Sequence, residues 1–490
     1  MEDITASNIQ RTIMKIFLIW SCPELETSNL LSEFKNNGHQ VVYWLGDSAD
    51  EKYKDSGMIF HYYQDAALNK PAQGFSIENF PTPSKELIEK LYKTESIILT
   101  MMNNKYSSML VDQRRHFYYT SLRYWHGILL QFKPETIFFD SIPHGVCEYI
   151  IYELAKLLNI KTLIIDSTWI SDRSYIYSNF RSSALAFNRQ MEQYQGKNFT
   201  VADLEIDLQN YYHQQTDPSV DSTPFYMPMQ YSLYLGKALF KRRFEHLINI
   251  LKNHTLLKTA VEWLIKTIGP NLKKDYVRLQ NKPDLTRHYI YAPLHFQPEM
   301  TTSPRGDIYV DQILLLETLS NALPKDWVIY VKEHPIEWLY RGLGYYNSRY
   351  KNYYQKIASL KNVRLVPVNF SSIQLISHAQ AVSTVTGMAA WEGVLRSKPG
   401  LVFGYPWYRD CEGIFMVTSP AECQAVFKKI MDGYKIDKQK VINFLYCFDK
   451  SSIHGYIDID IEKNASLNLT REESARNIRR AIIKELTNQN

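Results

Sequence analysis

At 490 residues, with 45% hydrophobic and 22% charged side chains, the chain is too long for one ordinary core and too apolar for a disordered or fibrous protein, so two or more globular domains are expected. Its formal charge of +5 is small for this length and does not point to nucleic acid. Five scattered cysteines, without a Cys-x-x-Cys pair, argue against a disulfide framework or a zinc site and fit a reducing compartment.

The first apolar run, Ile13–Trp20, is short, contains Lys15 and lacks a small-residue cleavage pattern, so it reads as a buried strand and not as a signal peptide. No stretch reaches the roughly 18 apolar residues that span a bilayer, and a cytoplasmic location is expected. Lys15–Ser21 and Gln40–Leu45 read as strands, with a helix over Asn29–Asn37 between them. Strands at Ser96–Met101, Thr136–Asp140 and Lys161–Asp166 follow, the last two flanking an apolar-periodic helix at Gly145–Leu158. Strand, helix, strand with short joints predicts a parallel sheet with crossover helices.

Residues from about 185 to 285 break this rhythm. They are polar, then basic and helical around Tyr231–Lys252 and Leu256–Ile268, and read as a helical insertion. Basic residues cluster there, at Lys237, Lys241, Arg242, Arg243, Lys266, Lys273 and Lys274. Such a cluster is usually a solvated helix face; peripheral contact with the inner face of the cytoplasmic membrane is the other reading. A second α/β series starts at Arg287, with strands at His288–Ala292, Trp327–Val331, Val363–Val366, Ala381–Val385 and Gly400–Phe403. Its helices are expected near Val310–Ala322, Asn347–Leu360, Ser372–His378, Met388–Arg396 and Pro420–Gly433. A last helix over Glu472–Leu486 is expected to pack back on the first domain. The expected division is 1–285 for an N-terminal domain carrying the insertion, 286–420 for a C-terminal domain, and 421–490 for a C-terminal helical segment.

Four segments of the second series lie at strand ends, where a doubly wound sheet places its ligand loops. The loop Ala292–Gly306 is crowded with His295, Gln297, Glu299 and Arg305, more polar groups than a turn needs. Val331–Pro335 brings Lys332 and His334 to a strand end, and the proline after His334 favours a helix start where an anion would sit. Ser371 and Ser372 precede a helix, and Thr384–Glu392 is a strand, a Thr-Gly turn and a helix. There Gly387 would allow close approach of a phosphate, Thr386 would donate a hydroxyl and Glu392 would accept ribose hydroxyls. Each alone has a plain structural reading as a cap or a satisfied core histidine. Four at successive strand ends form a sharper pattern.

The order Gln297-Pro-Glu299, then Lys332-Glu-His-Pro335, then Thr384–Gly393, then Phe403–Tyr408 resembles bacterial capsule and surface-polysaccharide synthesis proteins of the KpsC/KpsS kind, over roughly Tyr289–Gly413. That family includes retaining β-Kdo transferases that use CMP-Kdo. The resemblance implies a GT-B fold, two facing Rossmann-like domains with the donor in the C-terminal one and the acceptor in the cleft. It implies a His-Pro contact with cytidine monophosphate, in which His334 and Lys332 hold the leaving phosphate while Ser372, Thr386 and Glu392 line the nucleotide. Capsule members usually carry further acidic residues after the glutamine-containing loop, where this chain has Met300-Thr-Thr; if a carboxylate there is the nucleophile, Glu299 is the matching candidate, and the retaining or inverting outcome stays open.

In the N-terminal half, Asp140 ends a strand, with His144 and Glu148 following. Asp140 either caps the helix beginning near Pro143 or serves as base or nucleophile toward the acceptor. Asp166 is a similar case, and Asp307 and Asp311 read as surface residues near a helix start. Asp458-Ile-Asp460 lies in a polar segment and reads as incidental, so no metal and no cofactor are expected. Lys332, His334, Arg305 and helix N-termini would neutralise a monophosphate leaving group. The expected partners are a CMP-sugar donor and an oligosaccharide or lipid-linked glycan acceptor, with no nucleic acid. The expected function is transfer of Kdo or a related nonulosonic acid in capsule or lipopolysaccharide synthesis. A UDP-sugar GT-B transferase or epimerase, a teichoic-acid-type polyol-phosphate transferase and a non-catalytic capsule assembly or export partner remain as alternatives. A Walker A loop and a proper Gly-x-Gly-x-x-Gly are missing, which argues against an ATPase or a dehydrogenase.

Overall fold

A computed structural model describes residues 13–19, 22, 26–103, 105–106, 108–217, 220, 222, 244, 248, 272–297, 299–335, 337, 349–458, 461 and 469–487. Apart from residues 244 and 248, the helices expected at Tyr231–Lys252 and Leu256–Ile268, the basic residues from 237 to 266, and Asp460 lie outside them. The chain forms two compact units. One comprises residues 1–99, 109–186 and 452–490, the other 100–108 and 187–451.

The first unit is built on strands β1 (Lys15–Ile19), β2 (Gln40–Gly46), β3 (Ile59–Tyr62), β4 (Thr136–Phe139), β5 (Lys161–Ser167) and β6 (Arg173–Tyr177). Their order is β6-β5-β4-β1-β2-β3, with a short edge strand, Ile453–His454, beyond β6. All neighbours pair in parallel except β6, which is antiparallel to both β5 and the edge strand. Helices α1 (Thr27–Asn36), α2 (Tyr92–Met101), α3 (Val111–Phe132) and α4 (Val146–Leu157) accompany this sheet. The segment Ser96–Met101, expected as a strand, belongs to helix α2. Thr94, Glu95, Ile97, Ile98, Met101 and Met102 are buried, a recurrence every three to four residues that suits a helix.

The C-terminal helix Arg471–Thr487 packs on this unit, as expected. Ala475, Ile478, Ile482 and Leu486 make one helical stripe in a core shared with Ile16, Leu18, Phe34 and Phe138. Arg479 adds ion pairs to Glu26 at 2.8 Å and Glu33 at 3.1 Å.

The second unit holds β7 (Tyr289–Pro293), β8 (Val328–Lys332), β9 (Val363–Leu365), β10 (Ala381–Thr384), β11 (Gly400–Val402) and β12 (Ile414–Met416). All pairs are parallel, in the order β9-β8-β7-β10-β11-β12. Counting from β7, this is the Rossmann order 3-2-1-4-5-6, with its switch point between β7 and β10. Both faces are covered. Tyr289, Tyr291, Val328 and Tyr330 join one core, and Ile290, Ala292, Ile329 and Val331 join the other. This alternation explains why the strands read as unbroken apolar runs. The chain thus carries two Rossmann-like α/β units, the α/β fold class expected from the sequence.

Helices α5 (Leu185–Gln193), α6 (Ile206–Thr216), α7 (Leu272–Leu279), α8 (Gln312–Ala322), α9 (Tyr353–Ser359), α10 (Ser372–His378), α11 (Met388–Leu395), α12 (Pro420–Met431) and α13 (Lys438–Ser451) belong to this unit. The units therefore divide the chain differently from its composition. The described ends of the inserted region pack on the second unit: Phe187 stacks near Phe444 at 4.9 Å, and Trp391 Nε1 donates to Tyr211 Oη at 3.0 Å. Of the segment from 421 onward, α12 and α13 stay with the second unit, and the chain rejoins the first at Ser452.

Candidate functional site

The site is carried by the carboxyl ends of β7, β8 and β10 and by the helices that follow, all within the second unit. At the switch point, His295 bridges β7 and β10. Its Nε2 accepts the backbone N–H of Val385 at 3.2 Å and lies 2.7 Å from Thr384 Oγ1. Because that nitrogen accepts an amide proton, the ring is neutral with its proton on Nδ1. Burial, with His334 and Arg349 nearby, pushes its pKa down to about 3, in accord with that assignment. Gln312 on α8 secures the same residue, its Oε1 accepting the His295 N–H at 2.6 Å.

This bridge changes the expected role of the Thr-Gly turn. The Gly387 N–H donates to Thr384 Oγ1 at 3.1 Å, so in this structure the amide serves the turn itself. A Cβ on Gly387 would stand 2.9 Å from Thr384 Oγ1 and 3.0 Å from His295 Cε1. The missing side chain makes room for the bridge. Thr386 donates its hydroxyl to the Thr301 carbonyl at 2.6 Å, tying the turn to the loop after β7. Arg305 is buried in that loop, and its carbonyl accepts the Tyr405 N–H at 3.1 Å.

Lys332, at the end of β8, is buried and points its ammonium toward α10. It donates to the Phe370 carbonyl at 2.8 Å and to Ser372 Oγ at 2.5 Å. Tyr291 Oη adds a 3.3 Å bond to the same Ser372 oxygen. Burial lowers the Lys332 pKa to about 8, against the pull of Glu392. Ser371 is the plain cap of α10, accepting from the Gln374 N–H at 3.3 Å.

Glu392, on α11, is half-buried, and among the described residues no hydrogen bond reaches its carboxylate. Burial pushes its pKa up to about 7, with Arg396 and Lys332 opposing. The Lys332 ammonium at the end of β8, with two hydrogen bonds among the described residues, and the Glu392 carboxyl on α11 thus act on each other electrostatically. Such a pair suits a ligand that offers both an anion and hydroxyl donors.

The His-Pro segment is held from behind. Glu333, not foreseen from the sequence, is fully buried and makes a bidentate ion pair with Arg349, Nε–Oε2 at 2.8 Å and Nη2–Oε1 at 2.9 Å. Its Oε1 also accepts the His334 N–H at 2.7 Å, so that amide is not directed at an anion as expected. The His334 ring lies 5.9 Å from the Phe296 ring, and burial lowers its pKa to about 4. It is a neutral hydrogen-bonding group near pH 7, so the charge at this strand end comes from Lys332. Gln297 is drawn into the same network: its Oε1 accepts from Arg349 Nη1 at 2.9 Å, and its Nε2 donates to the Val310 carbonyl at 2.9 Å.

Glu299 is exposed, with Thr301 Oγ1 donating to it at 3.0 Å. Asp311 caps α8, accepting from the Ile313 N–H at 3.0 Å, and Asp307 accepts from Tyr405 Oη at 3.0 Å. In the first unit, Asp140 follows β4 at that sheet's own switch point, its N–H donating to the Ile19 carbonyl at 3.2 Å. It does not cap α4. Gly145 is the N-cap residue, and Glu148 reaches back to the Gly145 N–H at 3.0 Å. Asp166 is buried in β5 opposite Tyr175. Among the described residues, no helix is long and apolar enough to cross a membrane, and no cluster of three His, Cys, Asp or Glu side chains is placed to hold a metal ion.

Residues 284–444 match the family profile of capsule polysaccharide biosynthesis proteins, the part of the chain that carries this site. The resemblance read from the motif order is borne out over that segment. Curated protein sequences give no match. Among solved structures, the chain is similar to KpsC of Thermosulfurimonas dismutans, a beta Kdo 2,7 transferase (11% identity, 74% of this chain and 89% of that one, TM-score 0.28). It is also similar to UDP-GlcNAc 2-epimerase of Methanocaldococcus jannaschii in complex with UDP-GlcNAc and UDP (11%, 96% and 100%, 0.26) and to the spinosyn rhamnosyltransferase SpnG (10%, 89% and 95%, 0.24).

Proposed function

We propose that the protein is a glycosyltransferase of bacterial surface-polysaccharide synthesis that transfers Kdo or a related nonulosonic acid from its CMP form to a glycan or lipid-linked acceptor. The placing of the buried Lys332 ammonium at the end of β8 and of the Glu392 carboxyl on the helix after β10, near enough to act on each other electrostatically, carries this reading. Lys332 would hold the phosphate, with the neutral His334 donating a hydrogen bond beside it, and Glu392 would take the ribose hydroxyls. A monophosphate leaving group is modest enough in charge for these residues to stabilise as it departs, which supports a metal-independent transfer without a further cofactor. Glu299 serves as nucleophile or base in this scheme. The acceptor is met on the cytoplasmic side, where the CMP-sugar is available.

The test is a thermal-shift titration with CMP, CDP, UMP, UDP and GDP, repeated on His334→Ala, followed by a transfer assay with CMP-Kdo. Selective stabilisation by CMP, weakened in the variant, is expected. Stabilisation by UDP alone would replace the reading with a UDP-sugar enzyme, and silence toward every nucleotide would favour a non-catalytic role.

A further inference from the structure

Arg349 lies sixteen residues beyond Glu333, yet its guanidinium reaches four acceptors from two ligand loops. It bonds both Glu333 oxygens, Gln297 Oε1 at 2.9 Å and the His295 carbonyl at 2.8 Å. The side chain is fully buried, its guanidinium 4.9 Å from the Tyr353 ring centre. Around it, Tyr354 Oη donates to Glu333 Oε2 at 2.6 Å, and the Glu333 N–H donates to Tyr276 Oη at 3.0 Å. Glu337 Oε2 lies 3.9 Å from Arg349 Nη2 and accepts the Gln297 N–H at 3.3 Å.

Stability alone is a poor account of this arrangement, since a buried ion pair often contributes no more than well-packed apolar side chains of the same volume. What a planar guanidinium adds is direction. Its fixed fork of N–H groups can satisfy acceptors on several segments only when those segments hold one relative geometry. The segments here are the loop after β7, with His295 and Gln297, and the loop after β8, with Glu333 and His334. We infer that Arg349 is a positioning residue that locks these two loops in a single register, so that His334 and Lys332 are presented to the ligand together with the loop that leads to Glu299. This inference rests on the donor-site reading above, but the lock itself is testable without any ligand.

The experiment compares the wild type, Arg349→Met/Glu333→Met and Arg349→Lys. Removing both charges strands neither ion of the pair, and the buried Glu337 carboxyl, already pushed up to about 7, takes up a proton once Arg349 is gone, so the double variant is expected to unfold within a few degrees of the wild type. Hydrogen exchange should then show the amides of Gln297 and His334 exchanging at least tenfold faster, with the amides of β7 and β8 unchanged. CMP affinity should fall at least tenfold. Wild-type exchange at both amides in the folded double variant would overturn the lock. Faster exchange with wild-type affinity would overturn its role in presenting the site. Should the double variant not fold, Arg349→Lys decides: a single ammonium cannot serve all four acceptors, so the same accelerated exchange and affinity loss are expected, and wild-type values of either would overturn the inference. If the wild type binds no nucleotide, the donor reading fails by itself, and the exchange data still judge the lock.

Discussion

His295 Nε2 and Thr384 Oγ1 lie 2.7 Å apart across the junction of β7 and β10, at the switch point of the second sheet. In a Rossmann-like sheet this crevice outside the strand ends is where a ligand is expected. Here an imidazole bonds across it, while Lys332 stands at the end of β8 and Glu392 on α11, the helix after β10.

Replacing His295 with Phe keeps much of the volume but strands the Val385 N–H, a loss of about 1–3 kcal/mol for a buried unsatisfied group. The pH dependence gives a second readout. Its pKa is about 3 in the folded chain and 6.5 when unperturbed, so the unfolded state binds the extra proton between those values. Its stabilising share is therefore full above pH 6.5 and is lost as pH falls toward 3. Urea unfolding at pH 7 and pH 5 should show a smaller acid loss in His295→Phe than in the wild type.

Glu392→Gln should separate stability from binding. The carboxyl is held near pKa 7 against an ordinary 4.5, so the folded state binds the extra proton and the ionised form costs stability as pH rises from 4.5 to 7. The amide variant should melt higher than the wild type at pH 8 and no higher at pH 4, while its nucleotide affinity falls tenfold or more. A lower melting temperature at pH 8 would mean that the carboxylate has a structural partner.

Lys332→Met should abolish nucleotide-dependent stabilisation, since the ammonium is the charged donor at the end of β8. In the wild type this group deprotonates near pH 8. Affinity for CMP should thus be flat below that pH and weaken by about tenfold per unit above it, the slope for one proton bound with the ligand. Calorimetric titration from pH 6.5 to 9.5 measures this, and a flat profile would remove Lys332 from the contact.

Gly404→Ala should destabilise the second unit. The added Cβ would meet the Arg305 carbonyl oxygen at 2.5 Å and Thr386 Cγ2 at 2.7 Å, and a backbone oxygen cannot turn aside. Overpacking of this kind costs about 1–3 kcal/mol. The loop that Thr386 ties down should loosen with it, which proteolysis within residues 299–306 would detect.

Ending the chain at residue 469 removes Ala475, Ile478, Ile482 and Leu486 from the first unit's core. Each large apolar side chain in that stripe is worth about 1.5–3 kcal/mol of burial, so the first unit should become protease-sensitive. Retention of the wild-type digestion pattern would show that the helix is dispensable.

What the sequence determined by itself is whatever local periodicity encodes. The strands of the second unit were legible because both faces of their sheet are covered, so that Tyr289–Ala292 and Val328–Val331 are apolar without a break. The C-terminal stripe was legible for the same reason, at helical spacing. Ser96–Met101 was misread because a short apolar run fits either period, and only burial of Thr94 and Glu95 on the same side settles it as a helix. Motif order put Lys332 at a strand end and Ser372 and Glu392 in helices that follow strands, and the structure has them there. Tertiary structure alone decided what each polar group is doing. It assigned the Gly387 amide to its own turn, the Thr386 hydroxyl to the Thr301 carbonyl and the His334 amide to Glu333. It also brought in Arg349, sixteen residues from Glu333, and gave His295 its partner Thr384, eighty-nine residues away. Hydrogen bonds depend on distance and direction in space, and a pattern of residue types along the chain carries neither.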